Sequence, residues 1–292
     1  MANISRWLAV LIILIGAVSY GLLSSVVKLA YGAGWNDSQV TASQLTMGAI
    51  ILWICVLAQP KSWSNPFRGP WIKLGLTGIF GLALCTVSYN KALEQLDASI
   101  SVVLLFQFTW MTMLLEAIAL KRWPKPGAWI AVLIIMAGTA MAVNVGEADW
   151  SRFTLSGVLL GLLSGFAYAL FLFLTGKIQT TMHPFLKAAV MVTAALPVLY
   201  VMFPPNFSGS GSVLSLLLWG VALGMLGQAV PTIAFNIGIP RVGSALAANL
   251  GAIELPAVVV SAFFILNETV QGLQWFGMLS ILAGIVIAER WK

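Results

Sequence analysis

Long apolar runs alternate with short polar or proline-rich breaks along the whole chain. A helix needs about 20 apolar residues to cross the hydrocarbon core of a bilayer. Runs of that kind predict ten membrane-spanning helices, at 7–30, 39–58, 71–93, 98–119, 127–144, 154–177, 184–203, 213–237, 242–266 and 272–289. The breaks between them carry turn and loop chemistry: QPKSWSNPFRGP at 59–70, KRWPKP at 121–126, NVGEADWSR at 144–152 and FPPNFSGSGS at 203–212. None is long enough to be a separate domain. The run Leu8–Ala30 follows Arg6, and further apolar segments come at once, so it is expected to be a retained first span and not a cleaved signal peptide.

Composition sharpens this picture. Apolar residues make up 60% of the chain and charged residues only 8%, with mean hydropathy +0.97. Soluble domains carry about a quarter charged residues, so this chain cannot cover a water-facing surface. The net charge of +6 raises the question of nucleic acid, but its placement answers otherwise. With the N-terminus inside, only Lys28, Lys91 and Arg152 of the 15 basic residues fall on the outer side. Six of the nine acidic residues fall outside: Asp37, Glu94, Asp97, Glu147, Asp149 and Glu268. The positive-inside rule then gives N-in and C-in, and an odd number of spans would scramble the separation. The basic balance reports topology, and no nucleic-acid partner is expected. Cys55 and Cys85 lie in apolar segments, and His183 is the one histidine, beside Pro184 in a loop. No metal cluster, phosphate loop or nucleophile motif is present, so no cofactor, metal or enzymatic activity is expected.

The chain also matches itself. Shifted by 146 residues, GIFGLALCTVSYNKAL (78–93) falls on GMLGQAVPTIAFNIGI (224–239), aligning Gly78 with Gly224, Gly81 with Gly227, Thr86 with Thr232 and Asn90 with Asn236. Trp129 falls on Trp275, and Ala137-Gly138 on Ala283-Gly284. Five spans per half is odd, so the second copy must cross in the opposite sense. The expected architecture is an all-α membrane protein of two inverted five-helix repeats, 1–146 and 147–292. Such repeats are a hallmark of secondary transporters, with the substrate site near the midplane at the repeat interface.

These residues resemble the EamA branch of the drug/metabolite transporter superfamily. SYGLLSSVVK (19–28) is similar to the family's first helix, with Tyr20 where Trp is usual. SALAANLGAIELPAVVVSAFFILNETVQGLQWFGMLSILAGIVIA (244–288) resembles its most recognisable stretch, with small residues, a mid-helix proline and an L-x-E helix end. The first half departs from the pattern, with Trp110 in place of the proline and Arg122 in place of the Glu. The resemblance covers the whole chain and implies ten helices from a duplicated five-helix unit that carries small metabolites.

Glu254 is the sharpest candidate for chemistry. It sits near the middle of the ninth run, where an ionised carboxylate costs several kcal/mol unless paired, hydrated or protonated. Pro256 removes a backbone donor and loosens the carbonyls near residue 252, which is tolerated at membrane depth where they line a cavity or find partners. Proton coupling or capture of an amine follows as its expected role; a protonated hydrogen bond for packing is the alternative. Its repeat mate is Phe108. Gln107 and Trp110 share a helical face and are expected to line the pocket, the indole through cation–π attraction. Tyr20, Tyr168, Gln228 and Asn249 complete the expected binding set. Asn249 and Glu254 are five apart, which points them roughly 140° away from each other on an unbroken helix. Glu116, a turn from the cytoplasmic surface, is expected to snorkel or to pair with Lys121 or Arg122 in a structural role, and Lys91 to pair with Glu94. Gly157, Gly161 and Gly165 form a stripe that permits close helix approach. Pro197 and Pro231 are expected to bend spans seven and eight.

The expected function is secondary active transport of a small organic solute (an amino acid, amine, nucleobase or similar metabolite or drug) by alternating access, coupled to protons. A passive facilitator is the alternative, and an intramembrane enzyme is disfavoured because Glu254 has no histidine partner. The expected partners are the substrate, protons and the lipid bilayer, with the chain a monomer or homodimer in the cytoplasmic membrane of a prokaryote.

Overall fold

The computed structural model describes residues 4–149, 151, 153–178, 180–204 and 213–290. Arg152 and residues 205–212 of the expected 203–212 loop lie outside the described residues. The described residues are helical, with no strand: α1 Arg6–Gly32, α2 Asp37–Ala58, α3 Trp71–Thr77, α4 Leu84–Gln95, α5 Ala98–Leu105, α6 Phe108–Leu120, α7 Pro126–Ala142, α8 Leu155–Lys177, α9 Pro184–Met202, α10 Val213–Gly224, α11 Val230–Val242, α12 Ser244–Gly251, α13 Glu254–Leu266 and α14 Gly272–Arg290. Some of these join end to end. Among the described residues nine helical segments are long and apolar enough to cross a membrane, including Trp71–Gln95, Ala98–Leu120, Leu214–Val242 and Ser244–Leu266. The segment expected at 127–144 is a shorter apolar helix of 17 residues, α7. It stops early because Asn144 takes a left-handed conformation (φ 51°) just past its end, a common helix terminator. The chain is a multi-pass membrane protein.

Four spans are interrupted, and the interruptions recur along the chain. π-helical turns at Gly78–Ala83 and Met225–Ala229 divide α3 from α4 and α10 from α11. Two-residue turns at Phe106-Gln107 and Ala252-Ile253 divide α5 from α6 and α12 from α13. The helix ends Leu105 and Gly251 are 146 apart, as are the helix starts Phe108 and Glu254 and the left-handed caps Lys121 and Asn267. Helix pairing shows the same exchange. α1 packs on α11 and α13 as α8 packs on α4 and α6, α2 packs on α10 as α9 packs on α3, and α7 packs on α14.

Prolines mark only some of these places. Pro231 follows the second π turn, but the first half breaks at the same point with Cys85 in that register. Pro256 is the third residue of α13, where its missing N–H costs little, and the break lies before it. The matching first-half break has Trp110 in that register. α9 runs unbroken through Pro197.

Small residues set the closest approaches. The Gly157–Gly161–Gly165 face of α8 packs on Leu96, Leu104 and the carbonyls of Leu104 and Leu105, so the stripe is a packing surface. α7 and α14 cross at facing glycines: a Cβ on Gly138 would come within 2.8 Å of the Gly277 carbonyl, and one on Gly277 within 2.7 Å of the Gly138 carbonyl. Both obstacles are backbone and cannot step aside. Ion pairs tie helix ends together, Arg6 to Glu289 and Lys28 to Glu268, each at 2.7 Å. Lys91 and Glu94 form the expected i,i+3 pair at 3.8 Å, exposed and of small energetic worth.

Gly277→Val is expected to lower stability in detergent by at least about 2 kcal/mol, as overpacking against backbone does. Gly75→Ala, whose Cβ would meet only Ala194 at an ordinary 3.5 Å, is expected to be neutral or stabilising. Thermal unfolding of the purified variants checks both.

Candidate binding cavity

A cavity of about 620 Å³ opens between α1, α2, α4, α5 and α13. Pockets of about 300–1,000 Å³ suit small organic ligands. Its walls come from helical stripes: Tyr20, Ser24, Val27 and Tyr31 of α1; Asp37, Thr41 and Gln44 of α2; Thr86, Tyr89, Asn90, Leu93 and Glu94 of α4. Phe106 and Glu254, each at a helix interruption, and Gln228 of the second π turn complete the inner end. The irregular backbone thus faces a cavity, where freed polar groups are tolerated.

The charge of the lining is one-sided. Asp37, Glu94 and Glu254 line it, with no lysine or arginine among the described lining residues. Asp37 accepts from the Tyr31 hydroxyl at 2.9 Å and from Thr41 Oγ1 at 3.3 Å, and Glu94 pairs with Lys91. Glu254 makes no ion pair and accepts no hydrogen bond among the described residues. Gln228 is 92% buried (8% exposed), and its amide has no partner among the described residues. Its amide lies on the cavity wall with its hydrogen-bonding capacity unused by the described residues.

Beneath the cavity lies an arc of aromatic rings. It starts at Phe106 and runs through Phe108, Tyr168, Phe171 and Phe235 to Tyr20, with successive centroids 4.7–6.4 Å apart. Phe106 and Tyr20 line the cavity, and the four rings between them are buried.

The expected site residues therefore divide. Glu254, Tyr20 and Gln228 come together on the cavity. Tyr168 is the centre of the aromatic arc. Gln107 and Trp110 are occupied with each other: the indole donates to Gln107 Oε1 at 2.7 Å, and Gln107 Nε2 donates to the Val103 carbonyl at 2.8 Å. They clasp the first-half interruption. Asn249 lies in a separate crevice of about 220 Å³ with Glu116, Arg122 and Lys125, its Oδ1 buried without a partner. The helix breaks between Asn249 and Glu254, so the angle expected for an unbroken helix does not apply. Tyr31, Tyr89, Asp37 and Phe106 were absent from the expected set; the i,i+3/i+4 recurrence of Thr86, Tyr89, Asn90, Leu93 and Glu94 is a signal that marks the face of Tyr89, and no such signal marks the other three. Among the described residues no three His, Cys, Asp or Glu side chains gather as a metal site would need.

The profile of the EamA-like transporter family matches residues 7–144 and again 155–289. The chain belongs to this family. It is 25% identical over 283 residues to an uncharacterized transporter of Archaeoglobus fulgidus, covering 95% of both chains. It is 22% identical to the uncharacterized transporter YwfM of Bacillus subtilis, covering 95% of this chain and 92% of that one. A protein crystal structure at 17% identity superposes with TM-score 0.77 over 97% of this chain and 98% of that chain, which shows the shared fold alone. Family membership makes the protein a membrane transporter of small solutes.

Gln228→Leu is expected to weaken a ligand that stabilises the wild type in a thermal-shift screen by roughly fivefold, the worth of one buried hydrogen bond. Trp110→Phe is expected to change the protein's own melting temperature and leave the ligand's affinity unaltered.

Proposed function

We propose that this EamA protein is a proton-coupled secondary carrier whose substrate is a small organic solute bearing an amine or other positive group on an apolar body. The observation that carries the reading is Glu254, a carboxylate within a span, on a cavity and without a protein counter-charge. A proton or a substrate cation supplies what the protein omits. Tyr20, Tyr89 and Phe106 offer apolar and π surface to the rest of such a solute, and cation–π attraction favours the same charge. The absence of lysine and arginine from the described lining disfavours phosphorylated or strongly anionic substrates.

The mechanism we infer is alternating access by ten spans in two inverted five-helix repeats, N-in and C-in, in the cytoplasmic membrane of a prokaryote. The matched interruptions and the exchange symmetry of the helix pairings support the repeat. The cavity reaches the end that bears Tyr31, Asp37 and Glu94, which the charge distribution assigns to the outside, so this conformation corresponds to an outward-facing carrier.

In proteoliposomes under an imposed pH gradient, wild type is expected to concentrate a cationic substrate, and Glu254→Gln to lose concentrative uptake by at least about 100-fold, as loss of an essential buried charge does. Glu254→Gln that still concentrates substrate would refute proton carriage by this residue. Wild-type flux indifferent to the gradient would identify a passive facilitator.

A further inference from the structure

We propose that Glu116 is a clamp between the two halves that holds the face opposite the cavity mouth shut. α12 begins after Gly243, whose backbone (φ 88°, ψ 157°) is a conformation that side-chain-bearing residues rarely adopt. No side chain can stand at that helix start without strain. The residue 146 earlier is Asp97, and its carboxylate caps α5 by accepting from the Ser99 amide at 2.9 Å. α12 lacks this local cap and takes one from the other half. Glu116 Oε2, on α6, accepts from Ser244 Oγ at 2.6 Å and from the Ala245 amide at 2.5 Å. Of the expected alternatives, neither Lys121 nor Arg122 forms an ion pair with it; the carboxylate turns instead to the start of α12.

The free N–H groups of a helix start need acceptors, and here a carboxylate of the other half supplies them. Separating α6 from α12 therefore breaks charge-assisted hydrogen bonds and uncaps a helix at once. The clamp has no mirror image. The position 146 after Glu116 is Ala262, so no carboxylate of α13 stands in the matching place to cap α5; the cross-half pair on that face, Lys28–Glu268, caps no helix start. α6 packs on α12 where the clamp exists, leaving only the small crevice of about 220 Å³ beside Glu116, and the larger cavity opens at the end where the clamp is missing. α12 also leads, through the two-residue turn, into Glu254, so clamp and cavity carboxylate flank one half-helix.

The inference rests on the carrier reading above. Its test uses protein in nanodiscs with Cys55 and Cys85 replaced by serine, and a maleimide to label single reporters. Met113→Cys reports on the α6 side behind the clamp, where Met113 is 3% exposed, and Leu93→Cys reports on the cavity. Glu116→Ala is expected to raise labelling at 113 roughly three- to tenfold, the worth of a helix cap, and to lower it at 93. Ser244→Ala and Glu116→Gln, which disturb the fold less, are expected to shift both in the same senses by less. Reciprocal wild-type labelling that no variant moves, or a rise at both reporters, overturns the clamp alone. Simultaneous full labelling at both reporters in wild type overturns the carrier reading and the clamp with it.

Discussion

A helix interrupted inside a bilayer must satisfy its own backbone, because hydrocarbon offers no hydrogen bonds. That constraint organises this molecule. In the first half, Gln107 reaches back to the Val103 carbonyl and receives the Trp110 indole, so the break between α5 and α6 is closed by side chains. In the second half, the Ala252 carbonyl accepts from the Leu255 amide at 3.3 Å and Pro256 presents no N–H at all. The start of α12 is satisfied by a carboxylate from the other half. Different residues solve the same problem at matching positions. Phe106, Gln228 and Glu254, each at an interruption, line the cavity, while Gly243 and Glu116 meet at the opposite end.

Much of the fold was legible because it follows from one-dimensional quantities. Run length and polar breaks place the helices to within a few residues, since both measure the cost of putting polar groups in lipid. The interruptions were less legible. Proline flags a missing donor, so Pro231 and Pro256 drew attention to the second half. Cys85 and Trp110 occupy the same registers in the first half and carry no such flag, yet the backbone departs from α-helix there too. Proline is therefore not required for the break; the shared glycines Gly78/Gly224 and Gly81/Gly227 stand at both π turns.

The site was legible where burial itself is improbable. A carboxylate in a span is costly wherever it faces, so Glu254 stood out from sequence. Tyr31, Tyr89 and Phe106 did not, because an aromatic residue is at home facing lipid, core or cavity, and only the rotation of its helix decides. Gln107 and Trp110 show the converse. Their spacing does place them on one helical face, but a donor and an acceptor three residues apart can satisfy each other and leave nothing for a ligand. Sequence spacing reveals proximity, and the hydrogen-bond count decides availability.

On the proposed reading, the lone carboxylate also sets the order of events. While the cavity is open, water hydrates Glu254 and the ionised form is tolerable. Closing the cavity strips that water, and an ionised carboxylate without a partner then costs several kcal/mol. A bound cation or a bound proton removes the penalty; holding both leaves the cation without its counter-charge. Closure is thus favoured with one or the other and disfavoured with neither or both, which is the condition for exchange rather than leak. The clamp at Glu116 acts on the same balance from the far end of α12. It adds a fixed cost to opening the sealed face, so the half-helix moves only when occupancy of Glu254 has lowered the cost of closing the other.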